Sequence, residues 1–252
     1  NQLSTLPPEI GKMTSLVQLY LGNNRLSMLP REIGQLTGLR ELLLKGNSLK
    51  DIPSEMGQLS LCRNLDLSTN DFYDFPPPVY FPPVLSSLNF SDNNLKTLPD
   101  TIGTLHSLKQ LNLQQNQLES IPPEISALTA LTELRLAYNE LSSLPDEVGD
   151  MQSIKQLFLE HNKLIELPAS VGGLVSLELF VITDNQLIDL PNEMSCMSSL
   201  TELKVDGNPF YNLPPTIVGA GGRDTYNYIL KRAAQCMSLS FSLSLSRSPF
   251  GL

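Results

Sequence analysis

The stretch LKQLNLQQNQL at residues 108–118 decides the fold of this chain. Its apolar residues alternate with polar ones around Leu111 and Leu113, and this period of two predicts one short β-strand. The same frame recurs as LVQLYLGNNRL at 16–26, LRELLLKGNSL at 39–49, LTELRLAYNEL at 131–141 and IKQLFLEHNKL at 154–164. Each copy therefore predicts a strand of its own.

An asparagine recurs every 23 residues from Asn1 to Asn208, and a proline keeps the same spacing from Pro7 to Pro214. Such a fixed period is typical of stacked repeat proteins, in which units too small to fold alone share one continuous core. A side-chain amide has donors and an acceptor, so the asparagine is expected to satisfy buried backbone groups of the turn after each strand and to bridge neighbouring repeats.

The second half of each unit reads L-P-x-x-I-G-x-L-x-x-L, as at residues 98–108. Proline fits the first turn of a helical segment, and the glycines fit the end of a short helix. These glycines are at positions 11, 34, 57, 103, 149 and 172. Helical returns are wider than strands, which lie about 4.8 Å apart. The predicted fold is thus an α/β solenoid, a horseshoe with a parallel β-sheet on its concave face and short helical or 3₁₀ returns on its convex face.

The pattern LxxLxLxxNxLxxLPxxIGxLxxL resembles the intracellular leucine-rich repeats, and the resemblance covers residues 1–218. It is most similar to the Ras-group proteins of plants and to the animal Ras-pathway scaffold. Residues 206–210, 214–218 and 223–235 resemble the C-terminal cap of that group. The resemblance implies about nine full repeats plus a partial first one, a cap helix at 219–236 and a small GTPase or a phosphatase catalytic subunit as partner. Residues 237–252 are expected to form a disordered tail.

Composition narrows the class of partner. The net charge of −9 makes nucleic acid and anionic membranes poor partners, and no run of 18 apolar residues predicts a membrane span. We expect a monomeric solenoid that binds protein. Because the numbering opens inside a repeat, we expect a fragment or a missing true start, which leaves a targeting peptide open.

The three cysteines, Cys62, Cys196 and Cys236, show no paired spacing of the kind that secreted repeat proteins use. We therefore expect reduced thiols and a cytoplasmic protein. No CxxC motif occurs, and His106 and His161 are far apart in the stack, so neither a metal site nor a cofactor site is predicted.

Residues 75–85, FPPPVYFPPVL, break the pattern of the returns. Prolines in mid-return predict an extended, polyproline-like arc. Two interpretations follow: a proline-rich docking segment for a partner with an aromatic groove, or a return that packs in extended form with Phe75, Val79 and Leu85 inward. The second is favoured because both ends remain in register.

Strand residues between the leucines are expected to face the concave side. Phe158, Leu179 and Val181 would place exposed apolar groups on adjacent strands, with Tyr138 and His161 beside them, which is typical of interface anchors. Arg135, next to Glu133 and Glu160, would form a charged rim. The predicted protein-binding residues are Tyr20, Leu43, Arg135, Tyr138, Phe158, His161, Leu179 and Val181.

No GxxxxGK[ST], GxSxG or HExxH motif occurs, so no catalytic residue is predicted. The leading hypothesis is a non-enzymatic scaffold whose concave face binds a signalling protein. A second is the recognition arm of a larger enzyme or receptor, such as a repeat-bearing kinase or GTPase, an E3 ligase or an immune receptor. A third is a structural component of a large assembly.

Overall fold

The structure is a computed structural model that describes residues 1–211, 224 and 226–231. Within this part of the chain, nine three-residue strands form one parallel sheet in the order β1 to β9. The strands are β1 (Gln18–Tyr20), β2 (Glu41–Leu43), β3 (Asn64–Asp66), β4 (Ser87–Asn89), β5 (Gln110–Asn112), β6 (Glu133–Arg135), β7 (Gln156–Phe158), β8 (Leu179–Val181) and β9 (Glu202–Lys204). The predicted solenoid is confirmed, with the sheet on the concave face.

A short 3₁₀ helix precedes each strand on the convex side, and we call these helices returns 1 to 9. They are Pro8–Lys12, Arg31–Gln35, Ser54–Gln58, Pro78–Tyr80, Asp100–Thr104, Pro123–Ala127, Asp146–Asp150, Ala169–Gly173 and Asn192–Cys196. Each follows a proline whose φ lies between −51° and −74°. Because the ring fixes φ near this value, proline holds the chain ready to enter the helical turn.

Every strand pairs with the next at an offset of 23 residues, so equivalent positions lie side by side. The central residue of each strand from β2 onward is buried in the core. These residues are Leu42, Leu65, Leu88, Leu111, Leu134, Leu157, Phe180 and Leu203. The residues on either side of them point to the opposite, concave face, because side chains alternate along a strand.

The recurring asparagine joins backbone groups of two consecutive repeats. Asn116 donates from Nδ2 to the carbonyl oxygens of Leu113, at 3.1 Å, and Phe90, at 3.0 Å, and its Oδ1 accepts from the N–H of Leu95 at 3.0 Å. The equivalent contacts recur along the stack at Asn47, Asn70, Asn93, Asn139, Asn162, Asn185 and Asn208. The predicted bridging role is confirmed.

Each glycine of the returns is the second-to-last residue of its 3₁₀ helix, so the predicted position near the end of a short helix is confirmed. None of these glycines has the positive φ that is found among described glycines at Gly46 and Gly207, and close packing is the reason for them. A Cβ on Gly103 would lie 2.7 Å from the carbonyl oxygen of Glu124 in the next return. Glycine at this position therefore lets one return lie close against the backbone of the next, although returns 6 and 9 have Ser126 and Ser195 there.

Return 4 departs from its neighbours as the prolines predict, although it is not wholly extended. The chain is extended at Phe81 and forms a three-residue 3₁₀ helix before it. Phe75 and Leu85 are buried as predicted, but Val79 is 77 % exposed, so its predicted inward position is wrong. In a 3₁₀ helix residues three apart share a face, which turns Pro78 and Phe81 inward and Val79 outward.

The described part of the C-terminal region, residues 224 and 226–231, is helical. Ile229 is fully buried, and the hydroxyl of Tyr226 donates to the carbonyl oxygen of Met197 at 2.7 Å. These contacts cover the end of the stack. Most of the predicted cap at 219–236 and all of the tail at 237–252 lie outside the described residues, so their boundaries stay predictions.

Replacing Asn116 by alanine should lower the free energy of unfolding by about 1–3 kcal/mol, the usual cost of leaving buried polar groups unpaired. Urea denaturation followed by circular dichroism measures the change. Gln115→Ala is the matched control, because Gln115 is exposed and has the neighbouring position in the same turn. Equal denaturation midpoints for the two variants would contradict the proposed role of the amide.

Gly103→Ala should also destabilise the protein, because the added methyl group meets backbone atoms that cannot move away. Overpacking costs about 1–3 kcal/mol, more than the roughly 0.4–1 kcal/mol that Gly→Ala gains from the unfolded chain. Ser126→Ala is the control, because Ser126 is at the equivalent position one repeat later and already has a Cβ. Its free energy of unfolding should stay within about 0.5 kcal/mol of the wild type. A Gly103→Ala variant that is more stable than the wild type would contradict this prediction, because it would show that the neighbouring return can move away at little cost.

Candidate functional site

The concave surface carries two groups of the predicted binding residues, one at each end of the sheet. Tyr20 and Leu43 are in register on β1 and β2, whereas the other six lie on β6 to β8 or in the turns after β6 and β7. Strands β3 to β5 separate the two groups, a gap of roughly 19 Å between β2 and β6 at a strand spacing of about 4.8 Å. A small, compact partner would therefore contact one of the two groups and not both.

Arg135 and Phe158 form the centre of the second group, which we call the β6–β8 cluster. Their strands pair in register, and Cζ of Arg135 lies 4.7 Å from the centre of the Phe158 ring. Arg135 also forms an ion pair with Glu133 on its own strand. Stacking and pairing together hold the guanidinium over the ring, and the Arg135 side chain remains 39 % exposed.

The predicted charged rim contains the ion pair between Arg135 and Glu133. Glu160 is half-buried, and its Oε2 is buried without a hydrogen-bond partner in the described structure, so its place in the rim stays a prediction. Beside Arg135, a shallow depression of about 170 Å³ is lined by polar side chains that include Asn89, Gln110 and Asn112. The cluster thus combines an aromatic–cation centre with an amide-lined hollow.

Tyr138 and His161 extend the β6–β8 cluster along the turns. Their rings stack with centres 4.2 Å apart, and Nε2 of His161 lies 3.4 Å from a carboxylate oxygen of Asp184. Both residues have φ near +55°, at 55° and 54°. This left-handed conformation is uncommon for large side chains and carries strain, and here it aligns two rings in successive repeats.

Val181 differs from its prediction, because it is only 6 % exposed. It lies in register between Phe158 and Lys204, and its short side chain is shielded by these larger neighbours. Phe158 and Leu179 are half-buried, so they retain accessible apolar surface. The apolar part of the cluster therefore consists of Phe158 and Leu179, without Val181.

A hydrogen-bonded group at the start of the sheet was not predicted. Glu41 accepts from the hydroxyl of Tyr20 at 2.6 Å, from Nε2 of Gln18 at 3.0 Å and from Nδ2 of Asn64 at 2.7 Å. The Tyr20 hydrogen bond, followed by that of Asn64, lowers the pKa of Glu41, and the same bond raises the pKa of Tyr20. The 23-residue spacing of Gln18, Glu41 and Asn64 was the available signal.

The described residues also bear on metal binding and catalysis. No group of three or more His, Cys, Asp or Glu side chains there is arranged to hold a metal ion. Burial raises the pKa of the Cys62 thiol to about 12, which keeps it protonated and unreactive near neutral pH. No helix in residues 1–211, 224 or 226–231 has the length and apolar character needed to cross a bilayer.

Comparison with known proteins identifies the class. A family model described as Leucine rich repeat matches residues 14–72 and 112–164, and a second model of the same description matches residues 84–105. A leucine-rich repeat protein of Leptospira interrogans, LIC12759, is 31 % identical, with 92 % of this chain and 74 % of that chain covered and a TM-score of 0.56. The chain belongs to the leucine-rich repeat family. No curated protein sequence matches it.

Two plant receptor structures are also similar. The peptide hormone receptor RGFR1 in complex with RGF2 is 28 % identical over 81 % of this chain, with a TM-score of 0.66. The leucine-rich repeat ectodomain of the receptor kinase GASSHO1/SCHENGEN3 from Arabidopsis thaliana is 28 % identical over 81 % of this chain, with a TM-score of 0.59. The chain spans 38 % and 28 % of these receptor chains. Leucine-rich repeats generally serve as protein-interaction modules, and these relatives fit that role.

Tyr20→Phe should raise the pKa of Glu41 toward its ordinary value of about 4.3, because it removes the strongest of the three hydrogen bonds to the carboxylate. A pH titration of the Glu41 side-chain carbon by NMR measures this. The pKa of Glu41 is lower in the folded chain than in the unfolded chain. The hydrogen bonds to Glu41 therefore stabilise the fold at pH values above its unfolded pKa, and this contribution is lost as the pH falls through its folded pKa. Tyr138→Phe should leave the pKa of Glu41 unchanged. An equal change in this pKa for both variants would contradict the role of the Tyr20 hydrogen bond.

Proposed function

We propose that this chain is a non-enzymatic scaffold whose concave β6–β8 cluster binds a signalling protein. The candidate partners are a small GTPase and a phosphatase catalytic subunit, as the similarity of the repeat pattern to Ras-group proteins implies. The observation that carries the proposal is the Arg135 guanidinium stacked on Phe158 next to the half-buried Leu179. Arginine and aromatic residues are the side chains most enriched among interface hot spots.

The geometry of the cluster favours protein binding over small-molecule binding. The neighbouring depression measures about 170 Å³, below the roughly 300–1,000 Å³ of most small-molecule sites. Tyr138 is 51 % exposed and stands beside the Phe158 strand, so a partner would meet several large rings on one open surface. Rings already stacked on one another lose little conformational freedom on binding, which favours affinity.

We place this activity in the cytoplasm. Cys62 and Cys196 are both free thiols, whereas disulfides are typical of secreted proteins and rare in the cytoplasm. The net charge of −9 favours partners with basic surfaces.

A second candidate function is the recognition arm of a larger receptor, and the plant receptor structures favour it. One of them is a plant peptide hormone receptor in complex with RGF2. The two functions predict different locations for the β6–β8 cluster, inside or outside the cell. Antibody labelling of a tagged full-length protein before and after membrane permeabilisation distinguishes them, since an ectodomain is labelled without permeabilisation.

The binding test uses Arg135→Ala and Phe158→Ala, singly and together. Each should weaken binding of a purified small GTPase or phosphatase catalytic subunit by about tenfold or more, equivalent to 1.4 kcal/mol, as measured by isothermal titration calorimetry. Val181→Asp is unsuitable, because a charge at this buried position would unfold the domain.

Leu43→Ala is the matched control, because Leu43 is a half-buried residue of the same concave column at the distant end of the sheet. It should leave the affinity within about twofold, and circular dichroism should show the same fold for all variants. Binding that is unaffected by Arg135→Ala and Phe158→Ala, or lost equally with Leu43→Ala, would remove the β6–β8 cluster as the binding site. Failure of both partner classes to bind the wild type would reject the candidates.

A further inference from the structure

The convex side carries an open apolar cleft between returns 4 and 5. Its volume is about 450 Å³, within the roughly 300–1,000 Å³ of ligand-binding cavities. Pro78, Val79 and Pro83 line one wall, and Thr104, Leu105 and Ser107 line the other. This cleft is on the face opposite to the β6–β8 cluster.

The cleft lies where return 4 departs from the pattern of its neighbours. Return 4 has three helical residues where returns 3 and 5 have five, and its chain is extended at Phe81. It also lacks the glycine through which return 5 lies against the backbone of return 6, and it has Tyr80 at that position. The two walls of the cleft are formed by this irregular return and by return 5. The two walls are joined at one end by a hydrogen bond from the Ser107 hydroxyl to the carbonyl oxygen of Pro83, at 3.1 Å.

The polar groups at the mouth of the cleft are already paired, so its interior favours an apolar group. The Thr104 hydroxyl donates to the carbonyl oxygen of Thr101 at 2.8 Å, and that of Ser107 is occupied as described above. Val79 is 77 % exposed at the mouth, while Leu105 is buried at 8 % on the opposite wall. Burying apolar surface here would contribute about 25 cal/mol for each Å² removed from water.

The returns around the cleft carry acidic side chains. Returns 3 to 6 contain three carboxylates, Glu55, Asp100 and Glu124, and no lysine or arginine, whereas Arg63 and Lys109 lie further along the chain, at the entries to β3 and β5. None of the three carboxylates forms an ion pair within the described part of the chain. They lie on returns 3, 5 and 6, on both sides of the apolar cleft.

We propose that this cleft is a second docking site, which takes a segment of a partner protein with one large apolar side chain flanked by lysine or arginine. The apolar side chain enters between Val79 and Leu105, and the flanking cations pair with Glu55 on one side and with Asp100 or Glu124 on the other. The chain would then hold two proteins at once, one on each face, which is the property that a scaffold requires.

The test selects random twelve-residue peptides displayed on phage against the full chain. The enriched sequences should contain an aromatic or large aliphatic residue with lysine or arginine on both sides. A fluorescein-labelled copy of the most enriched peptide is then titrated by fluorescence anisotropy against wild type and variants.

Thr104→Trp, which fills the cleft from an exposed position, and Val79→Ser should each weaken peptide binding at least fivefold. The triple variant Glu55→Gln, Asp100→Asn, Glu124→Gln should weaken it at least tenfold and flatten its salt dependence. The matched control is Glu9→Gln, Glu147→Gln, Glu193→Gln, which removes the same charge from distant returns and should change binding less than twofold. Phe158→Ala should have no effect, which separates this site from the concave one.

Four outcomes would overturn the proposal. They are no enrichment of any peptide, enrichment of acidic or wholly polar peptides, binding that survives Thr104→Trp and Val79→Ser, and binding that is lost with Phe158→Ala. Analytical ultracentrifugation adds a fifth: a dimer that Thr104→Trp dissociates would assign the cleft to a second copy of this chain.

Discussion

The asparagine ladder is the constraint on which the rest of the structure depends. Each amide binds a carbonyl group of its own turn together with a carbonyl group and an N–H group of the repeat before it, as Asn116 does with Leu113, Phe90 and Leu95. A residue inserted into one of these turns would therefore leave buried polar groups unpaired in two repeats. The alignment of the turns from repeat to repeat is thus held by hydrogen bonding.

A fixed period has a functional consequence, because it aligns side chains that are far apart in sequence. Arg135 and Phe158 stack because 23 residues separate them, and the same spacing brings Gln18, Glu41 and Asn64 into one hydrogen-bonded group. The turn after each strand adds rings at Tyr138 and His161, held in a left-handed conformation. The repeat framework thus fixes where the concave side chains lie. The residue type at each concave position determines what the surface can bind and has little effect on the core.

The repeated elements were predictable because each has a local cause that is visible in the sequence. Alternating leucines predict the strands, and proline after them predicts the helical turn. The errors at Val79 and Val181, and the unforeseen packing role of the return glycines, share another origin. Whether Val181 is covered depends on the size of Phe158 and Lys204 on neighbouring strands, and the reason for glycine at 103 is the backbone of residue 124. Such facts depend on the packing of adjacent repeats, which a one-repeat pattern does not describe. The depression beside Arg135 and the convex cleft could not be predicted for the same reason.

The concave and convex faces respond differently to a residue that departs from the repeat pattern, and this difference explains the convex cleft. On the concave face a substitution changes the surface and leaves the packing of the repeats intact. On the convex face the returns pack on one another, and the short, irregular return 4 leaves a cleft beside return 5, with Val79 in solvent. The phenylalanines Phe72, Phe75, Phe81 and Phe90 fill the core beneath it, with ring centres 5.0–6.1 Å apart. The aromatic packing compensates in the interior for the irregular return, while the opening on the outside remains. A cleft that the core supports but does not fill is preformed, and a partner would bind it without the cost of opening it.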